Sequence, residues 1–158
     1  MTSEGNELTI SRLIKAPPAV VWKAWSTPEH LQQWWIPRPI ECKVVKLDLR
    51  PGGGFETRMR EGAGEFQPHV EGCFLDVIPE QHLVWTTVLG EGWCPLEPWL
   101  ALTALISFAA EGRDTRYSAR VLHKSAEDSR KHDDMGFQEG WGTAIDQLAS
   151  FVKKPALE

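Results

Sequence analysis

The stretch Met135 to Lys153, MGFQEGWGTAIDQLASFVK, limits what this chain can fold into more than any other. Phe137, Trp141, Ala144, Leu148 and Phe151 recur at alternating steps of four and three, with Ile145 and Val152 beside them. That is the apolar stripe of an amphipathic helix, and it needs a surface to bury it. Gly136, Gly140 and Gly142 interrupt the same stretch. Each costs about 1 kcal/mol relative to Ala in a helix interior. Either another backbone approaches closely there, or the helix borders a space that must stay open around Trp141.

The rest of the chain supplies sheet. Glu7 to Lys15 reads as a strand, and Pro17-Pro18 then opens a helix through Val20, Val21, Ala24 and Trp25. A second short helix begins at Thr27-Pro28-Glu29, with Thr27 as N-cap, and presents Leu31, Trp34 and Trp35. From Ile40 the pattern is strand and turn. Ile40 to Arg50 is followed by the Gly52 to Gly54 turn, then by Phe55, Thr57 and Met59 alternating with Glu56, Arg58 and Arg60, which puts both arginines outward. His69 to Ile78, Leu83 to Leu89, Ala101 to Ala110 and Thr115 to Lys124 complete five or six strands, the last two joined as a hairpin about Glu111-Gly112-Arg113-Asp114. Ser125 with Asp128 fits a loose capping box, so the terminal helix is expected from Ala126 with a break or bend at Gly136. Helices segregated from a run of strands predict an α+β fold. A strongly curved antiparallel sheet would wrap the C-terminal helix while the two short helices close one end.

Composition narrows the function. The 158 residues suit a single domain, 1–158, with its core over about 8–152. A net charge of −5 without a basic stripe argues against nucleic acid. The N-terminus lacks a basic segment followed by an apolar one, and no apolar run approaches the ~18 residues of a membrane span, so a cytoplasmic location without membrane insertion is expected. Cys42, Cys73 and Cys94 form no CxxC pair, and the five histidines show no ligand spacing, so neither metal nor cofactor is expected. There is no GxSxG, HExxH, GxGxxG or GxxxxGK[ST] motif. The eight tryptophans are the anomaly, and they fit either an aromatic cavity or large-residue core packing.

These faces supply the candidate site residues. Trp141, Phe137 and Ile145 come from the terminal helix and Trp35 from the second short one. Tyr117 and His123 share a face of the last strand with Ala119 and Val121. Trp85 and Phe74 belong to middle strands, and Asp76 shares the parity of Val70, Gly72 and Phe74, which would turn its carboxylate inward unless a bulge intervenes. His132-Asp133-Asp134 reads instead as the surface of a charged helix. The loop Gly90 to Leu100 carries Trp93, Leu96, Trp99 and Leu100 despite its turn-like composition. It reads as a lid on an apolar cavity, a loop packed on the core, or a dimer contact.

Ile14-Lys15-Ala16-Pro17-Pro18-Ala19-Val20-Val21-Trp22, then Pro28-Glu29-His30-Leu31 running to Trp34-Trp35-Ile36-Pro37, resembles the START-like (SRPBCC) superfamily. Within it the chain is similar to the family of the C-terminal domain of the activator of the heat-shock protein 90 ATPase. Pro51-Gly52-Gly53, Gly72 to Pro79, Glu111-Gly112 and Gly136 to Trp141 agree, so the resemblance spans about Leu8 to Val152. It implies a helix-grip fold with a cavity between sheet and helix, which in relatives accepts lipids, polyketides or flavonoid-like aromatics. The expected function is an intracellular binding module for a small hydrophobic or aromatic molecule. The alternatives are a polyketide cyclase or dehydratase using His123, Asp76 or Tyr117 as acid and base, and a chaperone-regulating interaction module. The chaperone activator carries an additional N-terminal domain for which 158 residues leave no room, and a homodimer is compatible with all three.

Overall fold

The computed structural model describes residues 5–153. Strand β1 (Glu7–Ile14) leads into helix α1 (Pro18–Ser26) and the single turn α2 (Pro28–Leu31). Strands β2 (Glu41–Leu47), β3 (Gly54–Arg60), β4 (Gln67–Ile78) and β5 (His82–Thr86) come next. A two-residue pair, β6 (Leu89–Gly90) and β7 (Cys94–Pro95), folds within the next connection, and β8 (Thr103–Glu111), β9 (Asp114–Leu122), α3 (Ala126–Asp134) and α4 (Phe137–Phe151) end the chain. Seven strands form one antiparallel sheet in the order β1-β9-β8-β5-β4-β3-β2. The chain has the α+β architecture expected from its pattern and the helix-grip fold that the resemblance implies.

Alternation decides which face of each strand meets the helix. Thr115, Tyr117, Ala119 and Val121 of β9 are buried, as are Ala104, Ile106 and Phe108 of β8 beside them. Against this face α4 buries Phe137, Ala144, Ile145, Leu148 and Phe151, the stripe legible in the sequence. Gln147 ties the same helix to the segment after α2. Its Nε2 donates to the carbonyls of Trp34 at 3.0 Å and Ile36 at 2.9 Å, and its Oε1 accepts from the Arg38 backbone N–H. The outer face carries ion pairs, among them Arg58 with Glu56 and Arg60 with Glu41, so both arginines do point outward.

Two irregularities in β4 redirect side chains. Thr57 pairs with Val70 but Arg58 pairs with Pro68, which leaves His69 as an extra residue. Phe74 pairs with Trp85 but Asp76 pairs with Val84, which leaves Leu75 as another. A bulge reverses the parity of the residues beyond it. Asp76 is therefore exposed and its Oδ2 lies 2.7 Å from His82 Nε2, correcting the inward placement expected from simple alternation.

The terminal helical segment is divided at Gly136. Ser125 caps α3 by accepting the Asp128 backbone N–H at 3.1 Å, as the loose capping box implied, while Thr27 makes no side-chain cap for α2. Gly136 lies at φ +95°, a left-handed conformation that costs an L-residue roughly 1–2 kcal/mol. It ends α3 and re-aims the chain into α4. Gly140 has no heavy atom within 4 Å of where a Cβ would sit, and at Gly142 the nearest are side-chain atoms of Arg12 and Ile10 at 3.4 and 3.6 Å. Close backbone approach is thus not the reason for any of the three glycines.

Candidate functional site

At one end of the sheet the aromatic residues close against one another. The Trp25 ring lies 5.2 Å from Trp35, 5.6 Å from Phe55 and 6.2 Å from Trp34, and Phe55 stacks on Phe74 at 5.1 Å. Most of these pairs meet edge to face or tilted, arrangements that aromatic quadrupoles favour. Trp25 Nε1 donates to the Tyr117 hydroxyl at 3.0 Å, and Trp34 Nε1 donates to the Ala24 carbonyl at 3.0 Å. The indole N–H groups of Trp35 and Trp85 are buried without an acceptor among the described residues.

Beyond this floor lies a cavity of about 480 Å³ between the sheet, α4 and the connection from β7 to β8. Trp34, Trp35 and Trp85 form one side, Trp141, Ala144 and Ile145 of α4 another, and Leu96, Leu100 and Leu102 a third. The polar groups among its lining include His69, Thr87, Tyr117 and His132. Trp99, 74% exposed, and Met135, 54% exposed, stand at the rim with the exposed carboxylates Glu71 and Glu97. Gly140 borders the same space, so its missing Cβ leaves volume beside Trp141.

The connection around Trp93 and Trp99 does two different things. Its first half is anchored to the β2–β3 hairpin: Lys46 Nζ pairs with Glu91 Oε1 at 2.9 Å, the Gly92 backbone N–H donates to the Gly52 carbonyl at 2.8 Å, and the Trp93 indole lies against Gly52. Its second half, 96–100, walls the cavity. Thr87 holds this half in place, its hydroxyl donating to the Leu100 carbonyl at 2.9 Å and accepting the Leu102 backbone N–H at 3.0 Å.

Of the residues singled out in the sequence, Trp35, Trp85, Trp99, Tyr117, Trp141 and Ile145 border this cavity. Phe137 lies beneath Trp141, ring centroids 5.1 Å apart, and supports it rather than facing the space. His123 stands behind His132. Phe74 packs behind Phe55, Asp76 is on the outer face and Trp93 is on Gly52, so these three are removed from the cavity. His69 and His132 were not anticipated. The bulge at His69 lets it join Val70 in the lining, and alternation alone would have separated the two. His132 is only 7% exposed despite the two aspartates after it, because the turn at Gly136 folds α3 back beside Phe137. A histidine that turns inward and one that stays in water look alike in sequence.

The interior of the cavity is kept uncharged. Burial pushes the His69 imidazole down to about 4. Burial, aided by the neighbouring His123, does the same to His132, again to about 4, against a smaller opposing pull from Asp133. Burial raises the Tyr117 hydroxyl far above its ordinary value, and the hydrogen bond from Trp25 only partly offsets this. Near neutral pH all three are neutral hydrogen-bonding groups. No group of three or more His, Cys, Asp or Glu side chains among the described residues could hold a metal ion. No helix among them is long and apolar enough to cross a membrane.

The model of the activator of Hsp90 ATPase homolog 1-like protein family matches residues 15–153. Among solved structures, a protein from Nitrosomonas europaea superposes with a TM-score of 0.87 at 36% identity, over 94% of this chain and 95% of that one. A Mycobacterium smegmatis protein gives 0.76 at 26% identity, over 94% and 91%. CalU16 from Micromonospora echinospora gives 0.62 at 23%, over 96% and 78%, and shows likeness of fold alone. None of the curated proteins matches the chain.

Proposed function

The chain belongs to the activator of Hsp90 ATPase homolog 1-like family, and from that premise we propose that it is a binding protein for a small, uncharged apolar or aromatic molecule, held between the sheet and α4. One observation carries this reading: a cavity of about 480 Å³ walled by Trp and Leu side chains, with a few neutral polar groups inside. That volume is within the roughly 300–1,000 Å³ range of small-molecule sites, and the mixture of an apolar wall with a few placed polar groups is what such sites use. The rim agrees, since a ligand can enter past Trp99 and Met135 without moving the anchored half of the loop.

Burying about 250 Å² of apolar ligand surface at about 25 cal/mol per Å² supplies roughly 6 kcal/mol before association costs, so micromolar affinity is the expected scale. The three acid–base candidates of the cyclase alternative do not converge. Asp76 is outside, His123 is behind His132, and the Tyr117 hydroxyl resists ionisation. Hence the binding reading is favoured over catalysis by those groups.

Titration with the neutral probe N-phenyl-1-naphthylamine tests it. Wild-type protein should enhance probe fluorescence with a micromolar Kd, and Gly140→Leu, which projects a side chain into the space beside Trp141, should abolish the enhancement while remaining folded. A wild type that leaves the probe dark, or a Gly140→Leu variant that binds it equally well, would sink the reading.

A further inference from the structure

His123 and His132 form a directed pair. The Asn6 main-chain carbonyl accepts the His123 backbone N–H at 2.8 Å and faces His123 Nδ1 at 3.1 Å. A carbonyl oxygen can only accept, so Nδ1 must carry the ring proton. A His123 ring that carries one proton, on Nδ1, has Nε2 as a bare acceptor, and that nitrogen lies 2.9 Å from His132 Nδ1. His132 Nδ1 therefore carries its proton and donates it to His123. This leaves the lone pair of His132 Nε2 without a partner among the described residues, on a ring that borders the cavity and is 7% exposed. Two hydrogen bonds in series, starting from a main-chain carbonyl, fix one tautomer.

Ring contacts hold the orientation. His132 meets His123 at 72° with centroids 5.1 Å apart, and meets Phe137 at 78° with centroids 5.2 Å apart. Phe137 in turn supports Trp141, which shares the cavity wall with His132. A neutral imidazole acceptor is thus held at a set place on a largely apolar surface. Its depressed proton affinity keeps it an acceptor rather than a cation across the neutral range. A lone acceptor of this kind discriminates by what it would otherwise leave unpaired, since a ligand that covers it without donating leaves its lone pair desolvated.

We infer that His132 Nε2 is the polar anchor of the cavity, and that the ligand is an aromatic molecule bearing a neutral hydroxyl, such as a phenol, which donates its hydrogen bond there. This rests on the cavity being a ligand site. His123 is a positioning residue, because its ring nitrogens engage His132 and the Asn6 carbonyl, it does not border the cavity, and it acts by holding the tautomer.

The experiment compares 2-naphthol with 2-methoxynaphthalene, each displacing N-phenyl-1-naphthylamine at about pH 8, above the ordinary imidazole pKa of about 6.5. The ether carries a methyl group in place of the hydroxyl proton and so cannot donate a hydrogen bond. Wild type should prefer the naphthol by about tenfold, the value of one net hydrogen bond. His132→Phe should bring that ratio close to one while still binding the ether. Nitrogen-15 spectra of wild-type imidazoles supply a readout that does not depend on the variant folding: His132 should show protonated Nδ1 and bare Nε2, and Nε2 should shift on adding the naphthol but not the ether. Equal affinities in wild type, a preference that survives His132→Phe, or an Nε2 signal unmoved by the naphthol overturns the assignment and leaves the cavity as a binding site. Failure of both compounds to bind overturns both.

Discussion

Tryptophan is used in two ways in this protein, and the contrast separates scaffold from site. At the closed end Trp25 is wholly buried, meets four aromatic neighbours and spends its N–H on Tyr117. At the open end Trp99 is 74% exposed, and Trp141 leans on Phe137 alone among the aromatic rings of the described residues. A large indole packed on all sides contributes stability, whereas one packed on a single side leaves a face available to a ligand. The difference lies in the neighbours and not in the residue.

The contrast is broken most severely by Trp25→Ala. Removing that ring empties the junction of Trp34, Trp35, Phe55 and Phe74 and leaves the Tyr117 hydroxyl without its donor, so a loss of about 3–5 kcal/mol is expected. Denaturant unfolding followed by circular dichroism should show it, and a loss below about 1 kcal/mol, typical of a surface change, would contradict the scaffold role.

Acid should act on the open end. Unfolded histidines protonate near 6.5, whereas folded His69 and His132 stay neutral down to about 4. Between those values the unfolded chain binds more protons, so their contribution is complete above about pH 6.5 and declines as the pH falls towards about 4. Moving each imidazole from 6.5 to about 4 makes roughly 3 kcal/mol per histidine the upper scale of the loss. Unfolding midpoints across that window should fall with acid in wild type, and the fall should be shallower in His132→Phe. A flat profile would mean that neither imidazole is desolvated.

Two glycines sharpen the comparison, because they sit on opposite sides of it. Gly136→Ala places a Cβ on a residue at φ +95° and should cost about 1–2 kcal/mol, read as a lowered melting temperature without a change in probe affinity. Gly140→Leu should do the reverse. It relieves a helix-interior glycine and meets no atom within 4 Å at its Cβ, so stability should rise by up to about 1 kcal/mol while probe binding is lost. Opposite signs on stability and on binding from neighbouring helix positions would be hard to explain unless Gly140 faces a functional space.

Periodicity made most of the fold legible. The four-and-three stripe of α4, the alternation of Phe55 and Thr57 and the turn at Glu111 to Asp114 each report a local rule that tertiary packing did not override. The site was legible only in part, because its geometry depends on two bulges and a left-handed residue. Alternation carried past Phe74 turned Asp76 inward, and alternation before Val70 hid His69. His132 was obscured by Asp133 and Asp134, since a charged stretch gives no sign of which single member turns under. Long-range pairs such as His123 with His132, or Trp93 with Gly52, leave no trace in a window of sequence.

The smallest effect on stability should come from Trp99→Ala, and there the two uses of tryptophan separate most sharply. The side chain is largely in water, and no hydrogen bond or ring contact ties it to the other described residues, so its removal should change unfolding free energy by less than about 0.5 kcal/mol. Yet it stands at the rim of the cavity, in the half of the loop that Thr87 fixes to the wall. If its indole covers a bound ring, truncation gives up part of the apolar contact, and probe affinity should weaken several-fold, mainly through faster release. Stopped-flow displacement measures that rate directly. Unchanged release from Trp99→Ala would return this tryptophan to the surface and confine the site to Trp35, Trp85 and Trp141.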